Sequence, residues 1–411
     1  FFVFAVVASL DPETKMTAPE IIQYWGYPVE IEHVVTEDGY ILELHRIPYG
    51  RNGTNGGCRP ILFLQHGLLS DSSTWVLNPA NDSAGLSLRS TLSSSMWRKR
   101  KIVGFIFADA GFDVWLGNFR GNTYSTNHTT LSKWNPAFWN FTWDDMARED
   151  LDAMITKVLN ITGQENLYYI GHSEGTMTMF AKLSYDLEFG EKIKLCFALG
   201  PIGTFNHIGG FLGFLAEYFG KIGEPFFNIF GYTSFLPYTF LTELYAETVC
   251  TTPFGDDLCS SLTLLVGGEN TTQFNKSRAD VYNSHYPAGT STLNIAHFTQ
   301  MSYTEGLVRF NYDLPSRNVA AYGTSTPPSY NLTAIEKDIY LYWSEQDALV
   351  TPDDVAYLIA QLNPAYLKGN NELTGFNHID FTWGMDAPEL VYAPIIETIK
   401  EDLGGQLVCP L

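Results

Sequence analysis

One pentapeptide constrains this chain more than any other feature: Gly171-His172-Ser173-Glu174-Gly175, directly after the apolar run Leu167-Tyr168-Tyr169-Ile170. Thr176, Met177, Met179, Phe180 and Leu183 follow, spaced like one face of a helix. G-x-S-x-G between a strand and a helix is the setting of a nucleophile elbow. That turn is sharp enough to strain the Ser backbone and lift its hydroxyl above the end of a sheet. Glycines at 171 and 175 leave room for strand and helix to approach closely. A glycine-rich strand end with a hydrogen-bonded Ser would share the bare pentapeptide; the flanking patterns favour the elbow.

A nucleophilic Ser needs a base, an orienting acid and an oxyanion hole, and in this arrangement the chain order is Ser, acid, His. Asp338-Ile339-Tyr340-Leu341-Tyr342-Trp343 reads as a buried strand, and Asp347 lies in the loop beyond it. Glu345 is its nearest rival. Asp353 and Asp354 are expected instead as cap and first-turn carboxylates of a helix opening at Pro352. His378 is the only His downstream of Asp347 and lies in a loop after a helical stretch. His33 and His45 fall on an expected hairpin. His128, His207, His285 and His297 lack ligand-like spacing, so no metal site is expected. For the oxyanion, one backbone N–H is expected from Glu174. The other is expected from Leu68, in the turn His66-Gly67-Leu68-Leu69 after the strand Pro60-Ile61-Leu62-Phe63-Leu64-Gln65.

With these residues assembled, the chain resembles the acid lipase family that includes gastric and lysosomal acid lipases. The resemblance begins at Tyr24-Trp25-Gly26-Tyr27-Pro28 and Val35-Thr36-Glu37-Asp38-Gly39-Tyr40-Ile41-Leu42. It continues through His66-Gly67-Leu68, Asp113-Val114-Trp115-Leu116-Gly117-Asn118, Arg120-Gly121-Asn122-Thr123 and the elbow. It ends in Asn377-His378-Ile379-Asp380-Phe381 and Asp386-Ala387-Pro388. It implies a Ser hydrolase of neutral-lipid esters, often at acid pH, with Ser173, Asp347 and His378 as triad and Leu68 and Glu174 as backbone donors. It also implies a cap with a lid over the site. One departure is Glu174, where the family commonly has Gln. A protonated carboxyl resembles Gln, whereas a carboxylate disfavours an oxyanion, so Glu174 is expected to tilt the enzyme toward acid.

The chain is 411 residues long, beyond a comfortable single core. Its formal charge is −21, which argues against nucleic acid and against charge-driven binding to anionic membranes. The same charge suits work in acid, where self-repulsion is largely discharged. Hydrophobic residues make up 45% and charged ones 17%, so disorder is not indicated. Residues 1–10 read as the remnant of a secretory signal peptide. Sequons at Asn52, Asn81, Asn127, Asn140, Asn160, Asn270, Asn275 and Asn331 support a secreted or lysosomal route. Of the 5 cysteines, Cys196 reads as a buried free thiol. Cys250 and Cys259, close together in a polar stretch, are expected to form a local disulfide, and the resemblance points the same way. Cys58 and Cys409 are left open.

Val29 to Pro48 alternates and breaks at Glu37-Asp38-Gly39, a hairpin signal. Strands near 60–65, 112–117, 166–171, 193–199 and 338–343 alternate with helical patterns. The expected fold is an α/β-hydrolase: a mostly parallel central sheet flanked by helices. Residues 11–203 and 327–411 form its core, and 204–326 an inserted, mainly helical cap or lid. The cap carries Phe205, Phe211, Phe214, Phe219, Phe226, Phe227, Phe230, Phe235 and Phe240, as core packing or as an acyl-binding surface. Charges and prolines interrupt it, so no transmembrane helix is expected. Residues 85–103 carry Arg89, Arg98, Lys99, Arg100 and Lys101 and interrupt the family pattern. They read as retained intron sequence or, if genuine, a surface loop.

The expectation is a monomeric serine ester hydrolase acting at an oil–water or micelle interface, without cofactor or metal. A small-ester carboxylesterase and an inactive lipid-binding protein are the alternatives.

Overall fold

A computed structural model describes residues 11–53, 57–78, 103–209, 213, 232–237 and 272–407. The strands are β1 (Glu30–Val35), β2 (Tyr40–Ile47), β3 (Ile61–Gln65), β4 (Asp113–Leu116), β5 (Asn127–His128), β6 (Leu167–His172) and β7 (Ile193–Leu199). They continue with β8 (Ser234–Phe235), β9 (Thr290–Ser291), β10 (Asp338–Trp343) and β11 (Leu367–Glu372). Nine form one sheet in the order β1-β2-β4-β3-β6-β7-β10-β11, with β5 beside β2, while β8 and β9 form a separate pair. β2 runs antiparallel to its neighbours β1, β4 and β5; from β4 through β3, β6, β7 and β10 to β11 every pairing is parallel.

Strands buried on both faces need apolar side chains on both. Along β3, Ile61 and Phe63 enter one core with Leu151, Ile155, Met177 and Phe180. Leu62 and Leu64 enter the other, with Phe105, Phe107, Ile395 and Ile399. The helices Leu151–Thr162 and Glu174–Tyr185 thus cover one face, and Val103–Ala110 and Ala393–Asp402 the other. Truncating a ring as buried as Phe180 to Ala would cost roughly 3–5 kcal/mol.

Register brings the parallel strands to a common edge. Gln65 pairs with Gly171, His172 with Leu199, and Leu199 with Tyr342. The turns after β3, β6, β7 and β10 therefore emerge side by side, at the carboxyl ends where α/β sheets hold their ligands.

The hairpin expected over Val29 to Pro48 is β1–β2, with Gly39 at φ 99 in its turn. The helix expected at Pro352 runs Pro352–Gln361, but its cap is Thr351, whose side chain accepts from the Asp354 N–H; Asp353 and Asp354 both lie in the first turn. β11 was not anticipated: Leu367-Lys368-Gly369-Asn370-Asn371-Glu372 is an edge strand with little apolar content. Cys196 is a buried free thiol. Cys58, the other cysteine among the described residues, is disulfide-bonded. Cys250, Cys259 and Cys409 lie outside them, as do residues 1–10, Asn81, Asn270 and all of 85–103 except Val103. So does most of the Phe-rich stretch; Phe205 is buried and Phe235 half-buried. Asn52, Asn127, Asn140, Asn160 and Asn331 are exposed and Asn275 is half-buried.

Candidate active site

Ser173 follows β6 with φ 55 and ψ −118, one of four non-glycine residues at positive φ among those described. A side chain held there costs on the order of 1–3 kcal/mol, and the surroundings must over-determine it. Ser173 N–H donates to Leu199 O at 3.0 Å. The Thr176 hydroxyl donates to Ser173 O at 2.7 Å and accepts from Ile202 N–H at 2.9 Å. Tyr169 O–H donates to Gly175 O at 2.7 Å. The glycines are steric requirements: a Cβ on Gly171 would lie 2.6 Å from Gly175 O, and one on Gly175 2.6 Å from Gln65 O.

Asp347 is buried beyond β10, whereas its rival Glu345 is exposed. One Asp347 oxygen accepts from Leu349 and Val350 N–H at 2.8 and 2.9 Å, which fixes the carboxylate. The other meets His378 Nδ1 at 2.8 Å. His378 is buried and its Nε2 has no partner among the described residues. Nδ1 therefore carries the proton toward Asp347, and Nε2 is left as a free base. Gly200 packs against this ring, since a Cβ there would lie 2.9 Å from His378 Cε1. Gly67 packs likewise against Ser173, with a virtual Cβ 2.8 Å from the Ser Cβ.

The turn after β3 is held by His66, a residue whose part was not foreseen. Its Nε2 accepts from Phe119 N–H and from the Asn122 amide, both at 3.1 Å. Its Nδ1 therefore donates, to Gly67 O at 2.9 Å. Burial pushes its pKa down to about 4, so the ring keeps this tautomer. Leu69 sits at φ 59, and its carbonyl accepts from Ala288 N–H at 2.6 Å. The N–H groups of Leu68 and Glu174 have no acceptor among the described residues. Two free donors at adjoining strand ends are what an oxyanion hole requires.

His172 is the second unforeseen residue. Its ring lies 4.9 Å from that of His378, and its Nε2–H donates to His378 O at 2.8 Å. The Glu174 side chain is buried and accepts from Asn294 Nδ2 at 2.7 Å. Burial raises its pKa to about 7; the Asn294 bond opposes the shift and Asp150 adds to it.

Among the described residues no His, Cys, Asp and Glu side chains group as a metal site, and no helix is long and apolar enough to cross a membrane. A His with a free Nε2, a buried carboxylate, a strained Ser and two free N–H groups are the parts that acyl transfer to a hydroxyl uses.

The family model for a partial alpha/beta-hydrolase lipase region matches residues 18–79, and that for the alpha/beta hydrolase fold matches 60–381. Lipase lipl-5 of Caenorhabditis elegans is 47% identical, over 99% of this chain and 98% of that protein. The gastric triacylglycerol lipase of Bos taurus is 39% identical, over 98% and 95%. The lysosomal acid lipase/cholesteryl ester hydrolase of Homo sapiens is 40% identical, over 96% and 93%. A solved structure, Lip1 of Acinetobacter baumannii, covers 96% of this chain and 99% of its own at TM-score 0.53 and 12% identity, a likeness of fold alone.

Proposed function

Because the chain belongs to the family of gastric and lysosomal acid lipases within the α/β-hydrolases, we propose that it hydrolyses neutral lipid esters through Ser173, His378 and Asp347. The observation that carries this reading is the 2.8 Å Asp347–His378 bond, which leaves His378 Nε2 free as a base in the same strand-end cluster as the strained Ser173.

Ser173 Oγ attacks the ester carbonyl as His378 Nε2 takes its proton. Asp347 orients the ring and stabilises the imidazolium. The N–H groups of Leu68 and Glu174 receive the oxyanion; each such donor is worth roughly 3–4 kcal/mol in the transition state. His378 then protonates the departing alcohol. Water, deprotonated by the same nitrogen, releases the fatty acid from Ser173.

Triacylglycerols and cholesteryl esters are the proposed substrates, as the names of the relatives have it. An acidic working range is supported by the Glu174 carboxyl, neutral below about pH 7 and carried by the residue whose N–H is assigned to the oxyanion. A secretory route to the lysosomal lumen or the exterior is supported by the Cys58 disulfide and the exposed sequons. Residues 204–326 are proposed as the cap through which a monomer meets an oil–water or micelle interface, and 85–103 as an insertion outside the catalytic machinery.

A fluorophosphonate probe tests the nucleophile. It should label the wild-type chain at Ser173 and leave Ser173→Ala unlabelled. Labelling that survives the substitution, or an unlabelled wild type, would overturn the assignment.

A further inference from the structure

The two donor peptides of the oxyanion hole come from different strand ends, and one distant segment touches both. Ala288 N–H donates to Leu69 O at 2.6 Å, one residue from the Leu68 donor. Six positions on, Asn294 Nδ2 donates to Glu174 Oε1 at 2.7 Å.

Asn294 is wholly buried in the first turn of the helix Thr292–Met301, and its amide has only one way to sit. Its Oδ1 accepts from Trp143 N–H at 2.8 Å, and that backbone group can only donate. Nδ2 must therefore face Glu174, with its second hydrogen on Thr290 Oγ1 at 3.1 Å. Ser291 fixes the start of this helix: its hydroxyl accepts from Asn294 N–H at 2.9 Å and donates to Phe141 O at 2.6 Å. The network asks one thing of residue 174, an acceptor at its tip. Gln supplies it as well as Glu, which reconciles Glu174 with the amide common in the family.

We infer that Asn294 is a positioning residue for the oxyanion hole, holding the Glu174 side chain so that the Glu174 N–H keeps its direction while Ala288 braces the Leu68 side. The inference rests on the proposed roles of Leu68 and Glu174. Its logic is geometric: hole donors act only when fixed in advance, and a displacement of about 1 Å can cost on the order of 100-fold in rate.

The test is a double-mutant cycle in the full chain on a soluble short-chain ester, with melting temperatures alongside. N294D keeps the acceptor for Trp143 N–H but sets a carboxyl against Glu174. The two carboxyls lose this contact once their shared proton is gone, so at alkaline pH kcat, compared with wild type at the same pH, should fall on the order of 10- to 100-fold with little change in KM. In E174Q/N294D the Gln amide can turn its NH2 toward the new carboxylate, and kcat should return to within a few-fold of E174Q alone. Wild-type kcat in N294D would overturn the inference. So would a double variant no better than N294D at an unchanged melting temperature, or a KM effect in place of the kcat effect. Ser173→Ala separates the two levels: if it stays active, the triad reading fails; if it is inactive while N294D is normal, only the role of Asn294 fails.

Discussion

His172 Nε2–H donates to the carbonyl oxygen of His378 at 2.8 Å, so a residue inside the elbow holds the loop that carries the proposed base. Burial, and then the neighbouring His378, pushes the His172 pKa down to about 3. The ring stays neutral in mild acid and adds no second cation beside a His378 imidazolium. His172→Phe keeps a ring but removes the donor. Its kcat on a soluble ester should fall on the order of 10-fold or more with KM little changed. An unaltered kcat would show that the bond does not position His378.

Gly200 supports the same ring by lacking a side chain. It sits at φ 56, and a Cβ would lie 2.9 Å from His378 Cε1 and 3.1 Å from Nδ1. Gly200→Ala should lower stability by roughly 1–2 kcal/mol through its left-handed backbone. Its loss of kcat should exceed what that destabilisation explains. Melting temperature and kcat, measured on the same sample, separate the two effects.

The Glu174 pKa of about 7 gives activity a direction with pH. Below it the carboxyl is neutral; above it the residue proposed to hold the oxyanion carries a negative charge that opposes its formation. Activity should therefore decline as pH rises through about 7, and Glu174→Gln should move that decline upward. Superimposable pH–rate profiles would remove Glu174 from the account of acid preference.

Stability should follow the same sign. Asp144 is buried, accepts from Phe310 N–H and Tyr330 O–H at 2.9 Å each, and has its pKa raised by burial from 3.8 to about 7. A carboxyl raised in this way retains a proton in the folded chain that the unfolded chain has lost. Its contribution is complete below about pH 4 and is lost as pH climbs to about 7, on the order of a few kcal/mol. Asp144→Asn should flatten the fall in melting temperature between pH 5 and pH 8, where the wild type declines.

Much of this fold is legible in the sequence because the buried parallel strands are continuous apolar runs. β7 and β10 have the bounds expected for them, and β3, β4 and β6 lie within a residue of theirs. β11 escaped because an edge strand needs no such run. Asp347 and Glu345, two residues apart, are separated only by burial, which spacing does not show. The strand–turn–helix setting of Ser173 is a local signal and could be read, and the sequence also names Asp347 and His378, which the structure brings into contact at 2.8 Å. His66, His172 and Asn294 could not. Their parts depend on which ring or amide nitrogen faces which backbone group, across 53 residues for His66 to Phe119, 206 for His172 to His378 and 120 for Asn294 to Glu174.

The most direct measurement is fatty-acid release by wild type and Ser173→Ala from emulsified triacylglycerol and cholesteryl ester, at about pH 4.5 and about pH 8, where carboxylates and His differ most in charge. The account predicts release at the lower pH by the wild type and none above background by Ser173→Ala. Equal release by both proteins, or no release from either lipid at either pH, would contradict it.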